Sequence, residues 1–334
     1  VEDSISRVRA LWSDRIAPRT GLPKDAALNP IEDGYSTEVY RVELQDDQRI
    51  LRIYPKKSLP RLNGYLSANR IFQSKGLRVP ELEASETTGE FAWVLEERIE
   101  GTSLKQLLDE PEALREAAET LAELHRHTRN RYGEYSGWGG FRLTLRWRQR
   151  FPERWSKVTR LYPELEEATD RVLSWYRDWA NSYSPRRYQL LHNDYHPGNV
   201  ILTPEGRIAL LDLRSPRFGL GLMELIEAAH HFMGEEPSDW PPFLDPYLES
   251  ADSENGAAYE KYGEGCHAVF HLRQADRFAN LALGTRGNVE DRREWEKNAL
   301  DSWDRFCRIS GVVGPILGLT KVSAFNSPRF QTKA

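Results

Sequence analysis

Cysteine is scarce in this sequence of 334 residues, which contains only Cys266 and Cys307. Two cysteines without a repeated spacing cannot build a disulfide framework, and they are too few for a four-cysteine metal site. Such sparse cysteine usage is typical of a reducing compartment. We therefore expect a cytoplasmic protein.

Long apolar runs are also missing. Residues 1–12 alternate charged and apolar side chains and lack the continuous apolar segment of a secretory signal. The longest apolar tract, residues 312–319, is interrupted by glycine and proline and is shorter than the roughly 20 residues needed to cross a bilayer. The sequence therefore predicts neither export nor a membrane span.

Charge of one sign is not in large excess. The chain has 46 Lys and Arg residues against 51 Asp and Glu residues, a formal net charge of -5, and its basic residues are spread along the sequence. This distribution lacks the basic patch that binds a phosphate backbone. We expect no nucleic-acid partner. The length allows a substantial core, organised in roughly two domains or lobes.

The first 97 residues favour strands. Apolar residues at helical spacing between positions 5 and 16 predict a leader helix that breaks at Pro18 and Gly21. Alternation over residues 40–44 and a branched apolar segment over 49–54 predict a β-hairpin, and residues 91–96 form a further predicted strand. A helix lies between them, from about residue 60 to residue 74. We expect residues 1–97 to form a small, strand-rich lobe.

The remaining residues, 98–334, favour helices. Apolar residues recur every three or four positions around Leu121 and again around Val172. A short strand at 188–191 and two strands at 200–203 and 208–213, separated by a Pro-Glu-Gly turn, are embedded between the helices. The polar stretch 234–256 is predicted to contain a surface loop.

The embedded strands carry the densest group of reactive side chains. Residues 192–199 read His-Asn-Asp-Tyr-His-Pro-Gly-Asn, and Asp212 follows thirteen positions later. This segment resembles the catalytic loop of the aminoglycoside phosphotransferase and choline kinase family, relatives of the protein kinases. Asp194 and Asn199 have the five-residue spacing of the kinase loop. The resemblance implies an α+β, protein-kinase-like, two-lobed fold with a small β-rich amino-terminal lobe, which binds nucleotide, and a larger, mainly helical carboxy-terminal lobe.

The resemblance also implies a role for each residue of the loop. Phosphoryl transfer depends on positioned charge more than on covalent chemistry. Asp194 is expected to accept the proton of the attacking hydroxyl, and Asn199 and Asp212 are expected to bind the Mg²⁺ that accompanies ATP. His192 and His196 are expected to support the catalytic loop through hydrogen bonds.

Residues 31–40 resemble the nucleotide-binding loop of the same family. Gly34 would allow the backbone to approach a phosphate, and Ser36 and Thr37 could donate hydrogen bonds. An ordinary hairpin turn is an equally good interpretation of this segment. Arg52 stands where protein kinases carry a phosphate-binding lysine. A surface arginine on an edge strand is the alternative.

Residues 94–101 resemble the family's hinge, where the adenine of the nucleotide binds. Glu96 and Arg98 are the predicted nucleotide-binding residues of this segment. Residues 58–75 contain no acid to pair with Arg52, so we expect Arg52 to lack its usual partner. Arg214 stands near the position where many relatives carry a second acid, and it would either contact phosphate or mark a lost function.

Three other patterns have competing interpretations. His267 and His271, beside Cys266, have the spacing of zinc ligands on a helix, but a polar helix face is favoured. Ten tryptophans could form an aromatic cage for a quaternary amine, although a core role is favoured. Acids in residues 235–249 could bind a cationic substrate, but a solvated loop is favoured.

The predicted function is transfer of the γ-phosphate of ATP to a hydroxyl of a small molecule, which would be an aminoglycoside, an amino alcohol or sugar-like. The short gap between Asp212 and the helix near Leu222 argues against the activation segment of a protein kinase. A protein Ser/Thr kinase and a catalytically impaired nucleotide-binding protein remain the alternatives. The pattern leaves the acceptor and the oligomeric state open.

Overall fold

The computed structural model describes residues 2–31, 37–45, 47–284 and 287–312. These residues form two compact units. Within the described ranges, unit 1 comprises residues up to 124, residues 191–217 and residues 231–247, and unit 2 comprises residues 125–190, residues 218–230 and residues from 248 onward. The lobe boundary expected at residue 97 stays a prediction.

A helical leader opens unit 1. Helix α1 (Glu2–Leu11) continues through a π-helical turn at Trp12–Ile16 into the short helix α2 (Ala17–Thr20). The predicted leader helix is thus present, but Pro18 does not break it. Pro18 lies in the first turn of α2, where the missing N–H of proline is not needed. Gly21 ends the leader with a φ of 72°, a conformation that glycine adopts without strain.

A five-stranded antiparallel sheet follows the leader. Its strands are β1 (Ala27–Ile31), β2 (Glu38–Glu43), β3 (Gln48–Pro55), β4 (Leu82–Thr87) and β5 (Phe91–Glu97), in the order β1-β2-β3-β5-β4. The predicted hairpin corresponds to β2 and β3. Because β3 lies between β2 and β5, the interpretation of Arg52 as a residue of an edge strand is wrong.

Helix α3 (Leu59–Ser74) connects β3 to β4 and agrees with the prediction. Its buried side chains include Leu62, Tyr65 and Phe72. Gly76, with a φ of 80°, follows the end of the helix. Gly64 lies on the buried side of α3 and packs closely against Ser215, where a Cβ would overlap the serine hydroxyl.

The rest of unit 1 places the predicted catalytic loop. Strand β6 (Thr102–Ser103) pairs with β10 (Val200–Leu202), which pairs with β11 (Ile208–Leu210). Helix α4 (Pro111–Arg126) lies mostly in this unit, as does α8 (Pro241–Ser250).

The predicted surface loop is present at residues 234–239, which are exposed, but α8 occupies much of the rest of the stretch 234–256. Its aromatic residues Phe243 and Tyr247, four positions apart, are buried, and so is Trp240, which precedes the helix. Helical burial of these side chains therefore outweighs the local signal of the prolines at positions 241, 242 and 246. Helix α9 also begins inside this stretch, at Ser253.

Unit 2 contains a small sheet and most of the long helices. The strands β7 (Thr128–Arg129), β8 (Gly133–Glu134), β9 (Tyr188–Leu191) and β12 (Arg217–Gly219) form a sheet in the order β7-β9-β12-β8. The helices are α5 (Leu143–Leu161), α6 (Thr169–Ser182), α7 (Gly221–Met233), α9 (Ser253–Ala282) and α10 (Val289–Ser310).

Aromatic side chains fill the core of unit 2. Phe151 stacks on Tyr176 with ring centroids 3.9 Å apart, and Trp155 packs against Trp303 at 5.1 Å. These contacts confirm a core role for much of the tryptophan content. Among the described residues, no helix is both long enough and apolar enough to cross a membrane.

Candidate active site

The catalytic loop begins where β9 ends, and His192 holds it in place. The His192 side chain is fully buried, and its Nε2 lies 3.1 Å from the carbonyl oxygen of Leu211. Its ring also packs against Phe72 of α3 and Tyr195 of the loop. His192 therefore connects the loop to the segment that carries Asp212.

The loop has two further internal supports. The amide nitrogen of Asn199 donates a hydrogen bond of 3.0 Å to the carbonyl oxygen of Asp194, which leaves the amide oxygen of Asn199 as the atom that could bind a metal. Nδ1 of His196 accepts a hydrogen bond of 3.0 Å from the Gly198 backbone. The Tyr195 hydroxyl donates to the carbonyl of Ala117 in α4.

Strand pairing brings Asn199 and Asp212 together. Val200 pairs with Leu210, and the Leu211 N–H donates to the carbonyl of Asn199 at 2.8 Å, so Asp212 lies one residue beyond the partner of Asn199. Asp212 has a φ of 48°, in the left-handed region. Such a conformation in a residue other than glycine is uncommon and is concentrated at functional sites.

The pKa of His196 shows which charges surround the loop. Burial lowers this pKa, and the cations Lys105 and Arg214 lower it further, whereas the carboxylates Asp194 and Asp212 oppose the shift. The imidazole is therefore neutral at neutral pH. Two acids and two cations thus act on one side chain at the centre of the loop.

Arg214 forms an ion pair with the expected catalytic base. Its Nη2 lies 2.6 Å from Oδ2 of Asp194, and the two side chains are 51% and 26% exposed. Sequence reasoning anticipated a phosphate contact or a lost function at this position, but not this ion pair. Lys105 was missed altogether. Lys105 lies outside the catalytic-loop motif, so no local pattern points to it, and the position of Arg214 two residues after Asp212 does not indicate a contact with Asp194.

Arg52 lacks the acid of the following helix that usually pairs with this cation, as expected, but it has a different partner. The partner is Glu96, on the neighbouring strand β5: Arg52 Nε lies 2.7 Å from Glu96 Oε1. Glu96 is only 1% exposed, and its second oxygen accepts a hydrogen bond from the Tyr65 hydroxyl of α3. Burial is the largest single effect and lowers the pKa of Arg52, but the Glu96 carboxylate, together with Tyr65 and Tyr54, more than offsets it, so this pKa is raised.

Tyr54 is influenced electrostatically by both the Arg52 pair and Asp212. Burial raises the pKa of Tyr54, and this pKa also responds to Arg52, Glu96, Asp212 and others. The Arg52 pair and Asp212 thus act electrostatically on the same hydroxyl group. All of these residues belong to unit 1.

The remaining predicted nucleotide-binding residues are placed only in part. Gly34 and Ser36 lie outside the described residues. Thr37 directly precedes β2, and the half-buried Arg98 directly follows β5. The Glu96 side chain is taken up by Arg52 and Tyr65, so its predicted contact with a nucleotide would have to involve backbone atoms.

The histidines of α9 do not form a polar surface. Nε2 of His267 and Nε2 of His271 are 2.9 Å apart, and both side chains are buried. The favoured interpretation as a polar helix face is therefore wrong. Across the part of the chain that the structure describes, no three His, Cys, Asp or Glu residues are grouped as a metal site.

Comparison of the structure with solved structures shows extensive similarity at low sequence identity. A putative fructosamine-3-kinase from Haemophilus somnus is 14% identical, with a TM-score of 0.55 over 87% of this chain and 96% of the other. A macrolide 2'-phosphotransferase from Brachybacterium faecium is 18% identical, with a TM-score of 0.59 over 87% and 97%. An aminoglycoside phosphotransferase is 16% identical, with a TM-score of 0.56 over 92% and 99%. These similarities confirm the protein-kinase-like fold.

Sequence comparison locates the family similarity. No curated protein matches the sequence. A family model described as "Phosphotransferase enzyme family" matches residues 27–264, which include the sheet of unit 1, the catalytic loop and Asp212. The predicted family resemblance is thereby confirmed, and the chain belongs to the phosphotransferase enzyme family.

Proposed function

We propose that this phosphotransferase moves the γ-phosphate of ATP to a hydroxyl group of a small molecule, using Asp194 as the residue that orients the hydroxyl and accepts its proton. The observation that carries the proposal is the strand pairing that places Asn199 beside Asp212, at a loop where both Asp194 and Asp212 act electrostatically on His196. This arrangement provides the Asp194 carboxylate for the hydroxyl and a separate pair of oxygen ligands, from Asn199 and Asp212, for a metal ion.

The donor set of Asn199 and Asp212 suits Mg²⁺. Magnesium prefers hard oxygen ligands and commonly takes only one or two from the protein. When bound, it would neutralise negative charge on the phosphates during transfer. Asn199 is held for this role by its amide nitrogen, which is already hydrogen-bonded to the Asp194 carbonyl.

Arg52 is the proposed phosphate-binding cation of the amino-terminal sheet. Its pairing with Glu96 removes one reason for predicting an impaired protein, namely a cation without a partner. Gly34, Ser36 and Thr37 are proposed to contact the phosphates through the loop before β2. The backbone of Glu96 and the segment at Arg98 are proposed to contact the adenine.

The acceptor is proposed to be a small molecule of the predicted classes: an aminoglycoside, an amino alcohol or a sugar-like compound. Solved structures similar to this chain include an aminoglycoside phosphotransferase with AMP-PNP and hygromycin B and a spectinomycin phosphotransferase with ADP and spectinomycin. Only residues 213–220 separate Asp212 from α7, which supports a small acceptor over a protein substrate. A cytoplasmic location remains a proposal.

The test is a screen for Mg²⁺-dependent ATP consumption against hydroxylated amines, sugars and sugar acids. Asp194→Asn and Asp212→Asn should each lower kcat by at least about 100-fold, because they remove the base and a metal ligand while preserving side-chain shape. Asp109→Asn, at an exposed position, is the matched control and should retain full activity. Chelation by EDTA should abolish turnover.

Two results would reject this assignment. Full turnover by the Asp194→Asn variant would remove Asp194 as the base. Incorporation of phosphate into proteins, with none into any small molecule, would favour a protein kinase instead.

A further inference from the structure

Arg214 is held in the site by its neighbours in sequence. Leu213 is buried, and Ser215 packs against Gly64 of α3 so closely that the Cα of Ser215 would lie 3.2 Å from a Cβ added to Gly64. The segment that carries Arg214 is therefore anchored on both sides. The approach of Arg214 to Asp194 follows from this packing as well as from charge attraction.

The Arg214 ion pair leaves Asp194 able to act on a hydroxyl. An ionised carboxylate accepts several hydrogen bonds, so Oδ1 of Asp194 can accept a hydroxyl while Oδ2 keeps its bond of 2.6 Å to Arg214. A hydroxyl held in this way would lie within about 6 Å of the guanidinium, given ordinary hydrogen-bond lengths. Arg214, about half of whose side chain is exposed, is thus close to the acceptor.

Two cationic side chains lie near the proposed reacting hydroxyl. Of the four charged groups that act on His196, Asp212 is proposed to bind the metal and Asp194 is paired with Arg214. Lys105 is then the cation that neither acid balances, and the half-exposed guanidinium of Arg214 has N–H donors beyond the one that binds Asp194. An ammonium group beside the reacting hydroxyl would meet like charge, whereas a carboxylate or phosphate would form charge-assisted, bidentate hydrogen bonds to the arginine.

We infer that Arg214 selects the acceptor by charge, so that the preferred acceptor is a sugar-like molecule with an anionic group near the hydroxyl that is phosphorylated. This inference rests on the proposed phosphotransfer. Of the predicted acceptor classes, it favours sugar-like compounds over aminoglycosides and amino alcohols. Under this proposal Arg214 is a specificity-determining residue, whereas Arg52 and the metal bind the phosphates of ATP.

The test compares related acceptors that carry no charge, an ammonium group or a carboxylate: glucose, glucosamine and glucuronate, and in parallel glycerol, serinol and glycerate. For the wild-type protein, kcat/KM should be highest for the acid and lowest for the amine, with the acid preferred over the neutral compound by about 10- to 100-fold. Arg214→Gln should remove most of this difference, and Arg214→Glu should reverse it. Arg186→Gln, at an exposed arginine of unit 2, is the control and should leave the ratios unchanged.

Each remaining outcome has a defined meaning. A wild-type preference for the amine would overturn the inference. If Arg214→Gln lowers kcat equally for every acceptor of a series, Arg214 acts on the transferred phosphoryl group. If it raises kcat equally for every acceptor, the contact of Arg214 with Asp194 is inhibitory. Either result overturns selection of the acceptor by charge. If no acceptor of any charge supports ATP consumption, the proposed function itself is rejected, and the inference with it.

Discussion

Arg52 and Glu96 form a buried ion pair between two neighbouring strands, with Arg52 Nε 2.7 Å from Glu96 Oε1. In protein kinases the corresponding cation pairs with a glutamate of a mobile helix, and the position of that helix controls activity. Here both charges belong to one sheet, and α3 contributes only the neutral hydroxyl of Tyr65. Arg52, the proposed phosphate-binding cation, is thus held by the sheet and does not depend on an acid from α3.

Removing the charge of Glu96 should therefore be costly. We expect Glu96→Gln to lower the free energy of unfolding by about 3–5 kcal/mol, because it leaves the buried Arg52 without a counter-charge. The double variant Arg52→Met, Glu96→Gln should recover part of this loss. Urea unfolding of the two single variants and the double variant measures the coupling, and additive effects would contradict it.

The hydroxyl of Tyr65 should contribute less than the charge of Glu96. Tyr65→Phe keeps the packing of the ring but leaves one buried oxygen of Glu96 without its donor, so we expect a loss of about 1–3 kcal/mol. Burial, followed by the nearby Glu96 carboxylate, raises the pKa of Tyr65, which keeps the hydroxyl protonated and able to donate. An unchanged urea midpoint for this variant would show that the hydrogen bond is unimportant.

Gly64 should be needed for the position of Ser215. Alanine normally stabilises a helix relative to glycine by about 1 kcal/mol, yet Gly64→Ala should reduce both stability and kcat, because the new methyl group displaces Ser215 and with it the segment that carries Asp212, the proposed metal ligand. Gly256→Ala in α9 is the matched control: it has open space around its Cβ position and should be neutral or stabilising. Ser215→Gly should partly rescue Gly64→Ala, and equal kcat values for Gly64→Ala and wild type would contradict the prediction.

The buried histidines of α9 should make stability depend on pH. Burial, together with His267, His230, Arg305 and Arg308, lowers the pKa of His271 to about 2. Folded His271 is therefore neutral, whereas in the unfolded chain it binds a proton below about pH 6.5, so the unfolded state binds more protons and stability falls as the pH drops from about 6.5 towards 2.

Replacing His271 should reduce this dependence. The difference in free energy of unfolding between pH 7.5 and pH 5.5 should be smaller in His271→Gln than in the wild type, by up to about 1.4 kcal/mol per pH unit below 6.5. Glutamine keeps a hydrogen-bonding partner for His267 but does not titrate. Identical pH profiles for the two proteins would show that His271 is protonated in the folded state.

Both thiols should be unreactive in the folded protein. Cys266 and Cys307 are free and buried, and burial raises the pKa of both thiols, to about 12 for Cys307. Because the thiolate is the reactive form, alkylation by iodoacetamide at pH 8 should be slow for both and fast in urea. Mass spectrometry of the intact protein counts the alkyl groups, and rapid labelling without urea would contradict the assigned burial.

Local patterns were sufficient to predict several elements. The alternation in β2 and β3, the helix that became α3, and the strands around the catalytic loop were all predicted close to their observed bounds. The His-x-Asp and Asn spacing identified the family, because all of these residues lie within one short loop and their spacing can be read directly from the sequence. The exception was α8, where burial of aromatic residues outweighed the local signal of the prolines.

The sequence by itself determined the family and the identity of the expected reactive residues, because both depend on short spacings along the chain. Tertiary structure alone decided which charged side chains form ion pairs. Arg52 and Glu96 are 44 positions apart, and Asp194 and Arg214 are 20 apart. Such pairs arise from strand register and from packing of one segment on another, and these long-range contacts leave no periodic signal in the sequence.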